Sequence, residues 1–370
     1  MMALSIVALL LALVPCGLFV LNGRELRQLP ARGAAGGAVS VLVPARNEEK
    51  NIAAALQSLL QSEGVEFEAL VLDDHSTDRT AELVGGFAKR DARVRLLAGE
   101  SLPSGWSGKN FACHQLAKNA RHSTMLFMDA DVRVSQPDSL GRLVRFLEST
   151  GAGLVSGIPK QETGTWLERL IIPLIHFVLL GFLPLKRMRT SSDPRFAAAC
   201  GQLVAVRREA YERSGGHRGI AGRVHDGVAL ARQFRETGIG TDLFDATDTF
   251  QCRMYGNAGE VWHGFAKNAH EGIGSPVLIV PSTLILLGGQ VLPMVLLLAR
   301  PGRLTVVIAT VAAVCALGPR YLAMKRFEQP RWAWLLHPVS IALLVGLQWQ
   351  AAFSRALGRR AVWKGRPIDP

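Results

Sequence analysis

The chain of 370 residues can hold one enzyme-sized domain plus further segments, and it carries a formal charge of +12 with its apolar residues gathered toward both ends. Much of the basic excess flanks apolar runs, at Arg24, Arg27 and Arg32, at Lys325, Arg326 and Arg331, and from Arg355 to Arg366, so it reads as membrane orientation and speaks against a nucleic-acid surface. Five cysteines, at positions 16, 113, 200, 252 and 315, form no CxxC pair and no metal-ligand spacing, so neither a disulfide framework nor a zinc site is implied.

Ala3 to Leu21 is about long enough to cross a bilayer. Nothing basic precedes it, and Pro15 before Cys16 fits lipoprotein cleavage poorly, so residues 1–22 read as an uncleaved transmembrane anchor followed by cytoplasmic basic residues. Ala31 to Ala38 reads as a flexible linker. Val39 to Val43, ended by Pro44, suits a buried parallel strand, and residues 48–62 follow with Ile52, Ala55, Leu56, Leu59 and Leu60 on one helical face. Ala69 to Leu72, Val94 to Leu97 and Thr124 to Met128 read as further strands, with helices over Arg79 to Lys89 and Phe111 to Ala120 between them. This alternation predicts an α/β fold with a mostly parallel sheet. Ligands in such sheets gather at the carboxyl ends of strands, where Asp73, Asp74, Asp129 and Asp131 fall.

Within residues 167–189, Leu170 to Leu185 is apolar, interrupted by Pro173 and Pro184 and followed by Lys186, Arg187 and Arg189; too short to span, the segment is expected at the membrane interface, a buried core helix being the alternative. Val277 to Ala299, Leu304 to Met324 and Trp332 to Phe353 form a C-terminal transmembrane region over 275–354, weakened by Arg320, His337 and Gln348. Three crossings from a cytoplasmic domain would place the basic tail, residues 355–370, outside, against the positive-inside rule, so one segment is re-entrant or the rule yields.

The polar loops carry the chemistry. A leaving diphosphate needs a hard divalent cation, and such cations take carboxylate oxygens. Asp129-Ala130-Asp131 supplies two at a strand end, although an isolated D-x-D also suits a solvated turn. In Asp73-Asp74-His75-Ser76-Thr77-Asp78, Ser76 or Asp78 can cap the next helix, which leaves the first two carboxylates unexplained. Pro44, Arg46, Asn47 and Glu48 follow the first strand, where side chains and amides can hold a nucleotide. The loop from Ser104 to Asn110 offers two glycines, Trp106 and a phosphate-seeking Lys109; a plain surface loop is the other reading. Asp226 opens a helix over Arg223 to Arg232, either as its cap or as the carboxylate that takes an acceptor proton in an inverting transfer.

Val-Pro-Ala-Arg-Asn-Glu at 43–48, Leu-Asp-Asp-His-Ser-Thr-Asp at 72–78, Gly-Lys at 108–109, Asp-Ala-Asp at 129–131 and His-Asp at 225–226 together resemble family 2 glycosyltransferases of the GT-A fold, over about Val39 to Asn268. The resemblance implies a GT-A domain over 39–270, nucleotide contacts from Asp73 or Asp74, metal and diphosphate binding at Asp129 and Asp131, and a base at Asp226. The expected donor set is therefore Pro44, Arg46, Asn47, Glu48, Asp73, Asp74, Lys109 and Asp129, with a UDP-sugar favoured and Mg2+ or Mn2+ as cofactor. His263 is a further candidate metal ligand, and Trp106, Gln202, His225, Arg253 and Lys267 are secondary candidates.

Leu-Pro-Ser-Gly-Trp-Ser-Gly-Lys at 102–109, Arg253-Met-Tyr255 and Trp262 to Asn268 are similar to the branch associated with hopanoid and carotenoid glycosylation, which implies a lipid or isoprenoid acceptor. Two departures stand out. The Q-x-x-R-W motif that marks processive cellulose and hyaluronan synthases is absent, and His225 occupies a place where the family commonly has an acidic residue. The expectation is an inverting, single-sugar transferase, multi-pass in the cell inner membrane with its catalytic domain cytoplasmic and no nucleic-acid partner. Two other readings use the same residues: a processive synthase with a membrane channel, and an inactive nucleotide-sugar or lipid binding protein.

Overall fold

The computed structural model describes residues 1–31, 37–268, 275–299, 302–357, 362–363 and 366–367. The expected linker and basic tail lie largely outside these residues. The chain divides into two compact units, one formed by Leu26–Lys160 and Leu185–Met254 with the extreme C-terminus, the other by Met1–Glu25, Gln161–Pro184 and Tyr255–Arg360. In chain order the helices are α1 (Met2–Glu25), α2 (Ile52–Leu60), α3 (Thr80–Ala88), α4 (Gly108–Asn119), α5 (Ser139–Ser149), α6 (Trp166–Ile171), α7 (Leu174–Phe182), α8 (Leu185–Thr190), α9 (Arg208–Ser214), α10 (Asp226–Glu236), α11 (Ala258–Asn268), α12 (Ile279–Gln290), α13 (Leu292–Leu298), α14 (Arg303–Arg326) and α15 (His337–Ala356). The main sheet contains β1 (Arg27–Gln28), β2 (Val39–Ala45), β3 (Phe67–Asp73), β4 (Val94–Ala98), β5 (Thr124–Met128), β6 (Val132–Val134), β7 (Leu154–Gln161), β8 (Leu203–Arg207) and β9 (Thr241–Cys252).

The first unit is a mixed sheet in the order β1-β9-β7-β8-β5-β2-β3-β4, with β6 pairing β9. Its parallel part, β4-β3-β2-β5, is the part the alternating sequence predicts. Strand side chains alternate strictly between two faces. Val39, Val41 and Val43, with Ala69, Val71, Leu126 and Met128, pack on one face against Ile52, Leu56 and Leu59 of α2 and Leu140, Leu143 and Val144 of α5. Leu42, Leu70, Leu72, Met125 and Phe127 face the other way, onto Ala112 and Leu116 of α4 and Leu230 and Phe234 of α10. Burial on both faces is why these strands read as continuous apolar runs.

The remaining strands have a different logic. β8 runs antiparallel to β5 and β7 antiparallel to β8. β7 contains Gly157 and Pro159, breakers in most strand patterns, and β9 buries Thr241, Asp242, Asp245, Thr247 and Thr249. Polar side chains are tolerated there because they are paired: Asp242 accepts from Arg189 Nε at 2.8 Å, and Asp245 accepts from the amide and hydroxyl of Thr247. Buried Arg235 spends its guanidinium on the carbonyls of Met188, Ser191 and Asp193 and on Thr241 Oγ1, fixing the chain between α8 and α10.

The second unit is helical. Three of its stretches, Met2–Glu25, Ile279–Leu298 and Arg303–Arg326, are long and apolar enough to cross a membrane. Helix α15, the expected last span, buries His337, Ser340 and Gln348. The segment expected at a membrane interface breaks at its prolines into α6, α7 and α8, and it is divided between the two units. Ile171, Leu174, Phe177 and Leu180 of α6 and α7 are buried. Asn22 of α1 donates to the Leu180 carbonyl at 2.7 Å, and Arg320 of α14 donates to the Pro173 carbonyl at 2.8 Å and to Gln329 Oε1 at 3.0 Å. Both polar side chains thus meet carbonyls that proline and helix ends leave over.

Candidate functional site

Three parallel strands deliver their loops to one edge of the sheet. The loops after β2 and β3 interlock through the backbone: Asp74 N donates to the Ala45 carbonyl, Asn47 N to Ser76 Oγ, Glu48 N to Thr80 Oγ1, and Thr77 N to Asn47 Oδ1. Asn47 takes a φ of 53°, a left-handed conformation that asparagine tolerates better than most residues. Arg46 Nη1 donates to the Asp74 carbonyl at 2.6 Å and lies 3.9 Å from its carboxylate. Asp78 accepts from the N–H and Oγ1 of Thr80, the first residue of α3, whereas Asp73 Oδ1 is buried without a hydrogen-bond partner.

The helix α4 starts at the opposite side of this edge. Ser107 caps it by accepting from Asn110 N, and the buried Asn110 amide donates to the carbonyls of Ile220, Ala221 and Arg223. Those three bonds tie α4 to the turn leading into α10. Their consequence is that Lys109 and Asp226, far apart in sequence, face each other. Lys109 Nζ lies 2.6 Å from Asp129 Oδ1, 2.8 Å from Asp226 Oδ2 and 3.4 Å from the Gly201 carbonyl. Trp106 packs edge-on against Phe111 and beside His114, and so braces the loop.

Close approach is built into this junction. A Cβ on Gly201 would lie 2.6 Å from Asp226 Oδ1, and one on Gly227 would lie 2.6 Å from Gly201 N. Gly201→Ala is therefore expected to displace the Asp226 carboxylate and to cost about 1–3 kcal/mol of stability, read as a lower melting temperature together with reduced activity. A variant indistinguishable from the parent in both would show that the turn shifts freely.

The electrostatics follow from this packing. Burial opposes the charge on Lys109, but Asp129 and Asp226 raise its pKa well above the usual lysine value. Burial also works against the Asp226 carboxylate, yet the adjacent ammonium overrides it and holds Asp226 below the ordinary aspartate range. Asp129 moves the other way, raised by burial with Asp226 and Glu48 adding repulsion against the pull of Lys109. Asp131 is pushed up to about 7 by burial and by the carboxylates of Asp129 and Glu48. Its Oδ1 is buried with no donor.

This is a surplus of negative charge for which Lys109 alone does not compensate. The donor set fits a hard divalent cation, which takes oxygen ligands. Among the described residues no group of three His, Cys, Asp or Glu side chains is arranged to hold an ion by itself. Two carboxylates completed by substrate phosphates is the pattern Mg2+-type sites use.

A small cavity opens here, bounded by Pro44, Lys109, Asp129, Gly201, His217 and Asp226. Gln202 supports it from behind: its carbonyl accepts from Asp129 N at 3.0 Å and its amide lies 3.0 Å from Cys252 Sγ. His225 immediately precedes α10, and Arg253 follows β9 as an exposed residue. His263 lies on α11 of the helical unit with Nδ1 2.6 Å from the Gly259 carbonyl; Lys267 is on the same helix, its side chain outside the described residues.

Residues 40–215 match the family described as Glycosyl transferase family 2. The chain carries a family 2 glycosyltransferase domain. Relatives include 4,4'-diaponeurosporenoate glycosyltransferases. One from Staphylococcus haemolyticus is 27% identical over 218 residues, covering 59% of this chain and 56% of its own length. One from Staphylococcus aureus is 26% identical over 262 residues, covering 70% and 68%. The fold is similar to that of a mannosyltransferase from Pyrobaculum calidifontis solved with GDP-Man and Mn2+, with a TM-score of 0.56 and 18% identity over 96% of this chain and 99% of the other. The matched stretch of the glycosyltransferase domain holds the candidate residues from Pro44 to Gln202, whereas His217, His225 and Asp226 lie beyond it. The ion pair from Lys109 is what joins Asp226 to the family site.

Proposed function

We propose that this chain is an inverting glycosyltransferase that moves one sugar from a nucleoside-diphosphate sugar, favoured as a UDP-sugar, to a membrane lipid or isoprenoid acceptor. The observation that carries the reading is the contact of Lys109 with both Asp129 and Asp226. It puts a candidate base and a candidate diphosphate site within one side chain's width. In this reading Pro44, Arg46, Asn47, Glu48, Asp73 and Asp74 hold the nucleotide, and Asp129 and Asp131 hold Mg2+ or Mn2+. When bound, that cation neutralises the charge growing on the leaving diphosphate.

Asp226 then takes the proton of the acceptor hydroxyl, whose oxygen attacks the anomeric carbon as the bond to the diphosphate breaks on the opposite face. Direct displacement inverts the anomeric centre. A diphosphate also attracts Lys109, and as the ammonium turns to it Asp226 loses the partner that depresses its pKa and becomes a stronger base.

The apolar helices support a multi-pass protein of the cell inner membrane with the donor site facing the cytoplasm, where nucleotide sugars are made. The names of the curated relatives support an isoprenoid acceptor. Mass spectrometry of lipids from cells with and without the gene tests the proposal. One lipid species heavier by a single hexose-sized unit is the expected difference. A ladder of such units would favour a processive synthase, and identical lipid profiles would overturn the assignment of a lipid acceptor.

A further inference from the structure

One wall residue of the cavity has no part in the reaction just described. His217 lines the cavity with Lys109, Asp129 and Asp226, yet it is itself 2% exposed. Two neighbours hold its ring. The Tyr211 hydroxyl lies 2.9 Å from His217 Nδ1 and accepts the backbone N–H of the same histidine at 3.1 Å. Phe127 packs edge-to-face on the imidazole at a centroid distance of 4.6 Å.

The turn that presents it is equally fixed. Gly216 adopts a φ of +50°, and a Cβ there would meet the Tyr211 ring at 2.3 Å, so the position admits only glycine. Gln233 Nε2 secures the turn from α10 by donating to the Ser214 carbonyl at 2.8 Å.

These contacts determine the proton inventory of the ring. Tyr211 Oη accepts from a backbone amide and has one proton of its own, for which Nδ1 is the only acceptor within reach among the described residues. Nδ1 is therefore an acceptor and Nε2 carries the hydrogen. Burial keeps the ring neutral, with its pKa driven down to about 3. Nε2–H makes no hydrogen bond to the described residues, is not among the buried side-chain atoms left without a partner, and belongs to a residue that lines the cavity. A sugar seated in the cavity displaces water from that N–H, so a ligand oxygen that accepts from it is favoured over a ligand that leaves it unpaired.

We infer that His217 donates a hydrogen bond from Nε2 to one hydroxyl of the transferred sugar and so sets which hexose the site accepts. The inference rests on reading the cavity as the donor site. With the diphosphate at Asp129 and the base at Asp226, the sugar ring lies between them, and its hydroxyls meet a wall otherwise built from Cys113, Phe127, Val204 and Leu230. On that wall a single fixed N–H distinguishes a sugar that offers an oxygen there from its epimer. Leaving that donor unpaired beneath a bound sugar costs about 10- to 100-fold in affinity.

The test uses the full chain in detergent and calorimetry. UDP, GDP and dTDP are compared first, then the hexose conjugates of the one that binds, then the 2-, 3-, 4- and 6-deoxy forms of the preferred conjugate. For the parent protein one deoxy position is expected to weaken binding by about 10- to 100-fold. In His217→Phe, which keeps a ring in the same space, that penalty should vanish at that position alone, while affinity for the free nucleotide is unchanged. Tyr211→Phe, which frees the tautomer, should reduce the same penalty partway.

If all deoxy penalties persist in His217→Phe, or if free nucleotide and conjugate weaken in parallel, the inference is overturned while the donor site stands. Failure of the parent protein to bind any of the three nucleotides overturns the donor-site reading and this inference with it.

Discussion

Asp226→Asn is expected to abolish sugar transfer, lowering kcat by about 10² to 10⁴-fold, while nucleotide-sugar binding persists. Asparagine matches aspartate in shape and retains one oxygen, so the 2.8 Å contact with Lys109 Nζ can survive as a hydrogen bond. The crowded junction with Gly201 is likewise preserved, because no atom is added. What disappears is the capacity to take a proton. Initial rates with the lipid acceptor, set beside calorimetric binding of the nucleotide sugar, separate the two effects. Full-rate transfer would place the base elsewhere, and joint loss of transfer and binding would make Asp226 a structural residue.

Asp131→Asn addresses the other half of the site. Loss of cation binding there removes several kcal/mol of charge stabilisation, so kcat/KM should fall more than about 100-fold and nucleotide binding should no longer depend on Mg2+ or Mn2+. Stability should respond in the opposite sense. Asp131 Oδ1 is buried without a donor, and Asp129 and Glu48 repel its charge, so a neutral amide relieves the folded protein. In EDTA the variant should melt no lower than the parent. With Mn2+ the parent should gain stability by mass action and the variant should gain less. An unchanged Mn2+ response in the variant would remove Asp131 from the cation site.

The parallel half of the sheet is legible because β2, β3 and β5 are buried on both faces and advertise themselves as apolar runs, of which β3 and β5 lead into acids. Beyond β5 the signal failed for physical reasons. β7 carries Gly157 and Pro159, and β9 buries paired polar side chains, so neither shows alternation or a clean apolar run. Motif chemistry singled out Lys109, Asp129 and Asp226, but spacing could not reveal that one ammonium touches both carboxylates, because that depends on the three bonds made by Asn110. Asn110, Gly201 and Gly227 carry no reactive group, so motif chemistry does not single them out. His217 was missed differently: a lone histidine in a glycine-rich turn has no periodic signature, although the Ser-Gly-Gly-His run was itself a cue to a tightly fixed turn.

Arg320 bears on how the protein is made. A guanidinium part-way along an otherwise apolar helix raises the cost of placing α14 in lipid by a few kcal/mol when the helix is alone. Its acceptors, the Pro173 carbonyl and Gln329, come from a segment translated well before α14 and from one translated just after it. Full pairing of Arg320 thus needs both the earlier segment and the later turn. A chain lacking α6 and α7 is expected to leave part of the Arg320 guanidinium without its carbonyl acceptor and to hold α14 less firmly, read as lower stability of the helical unit.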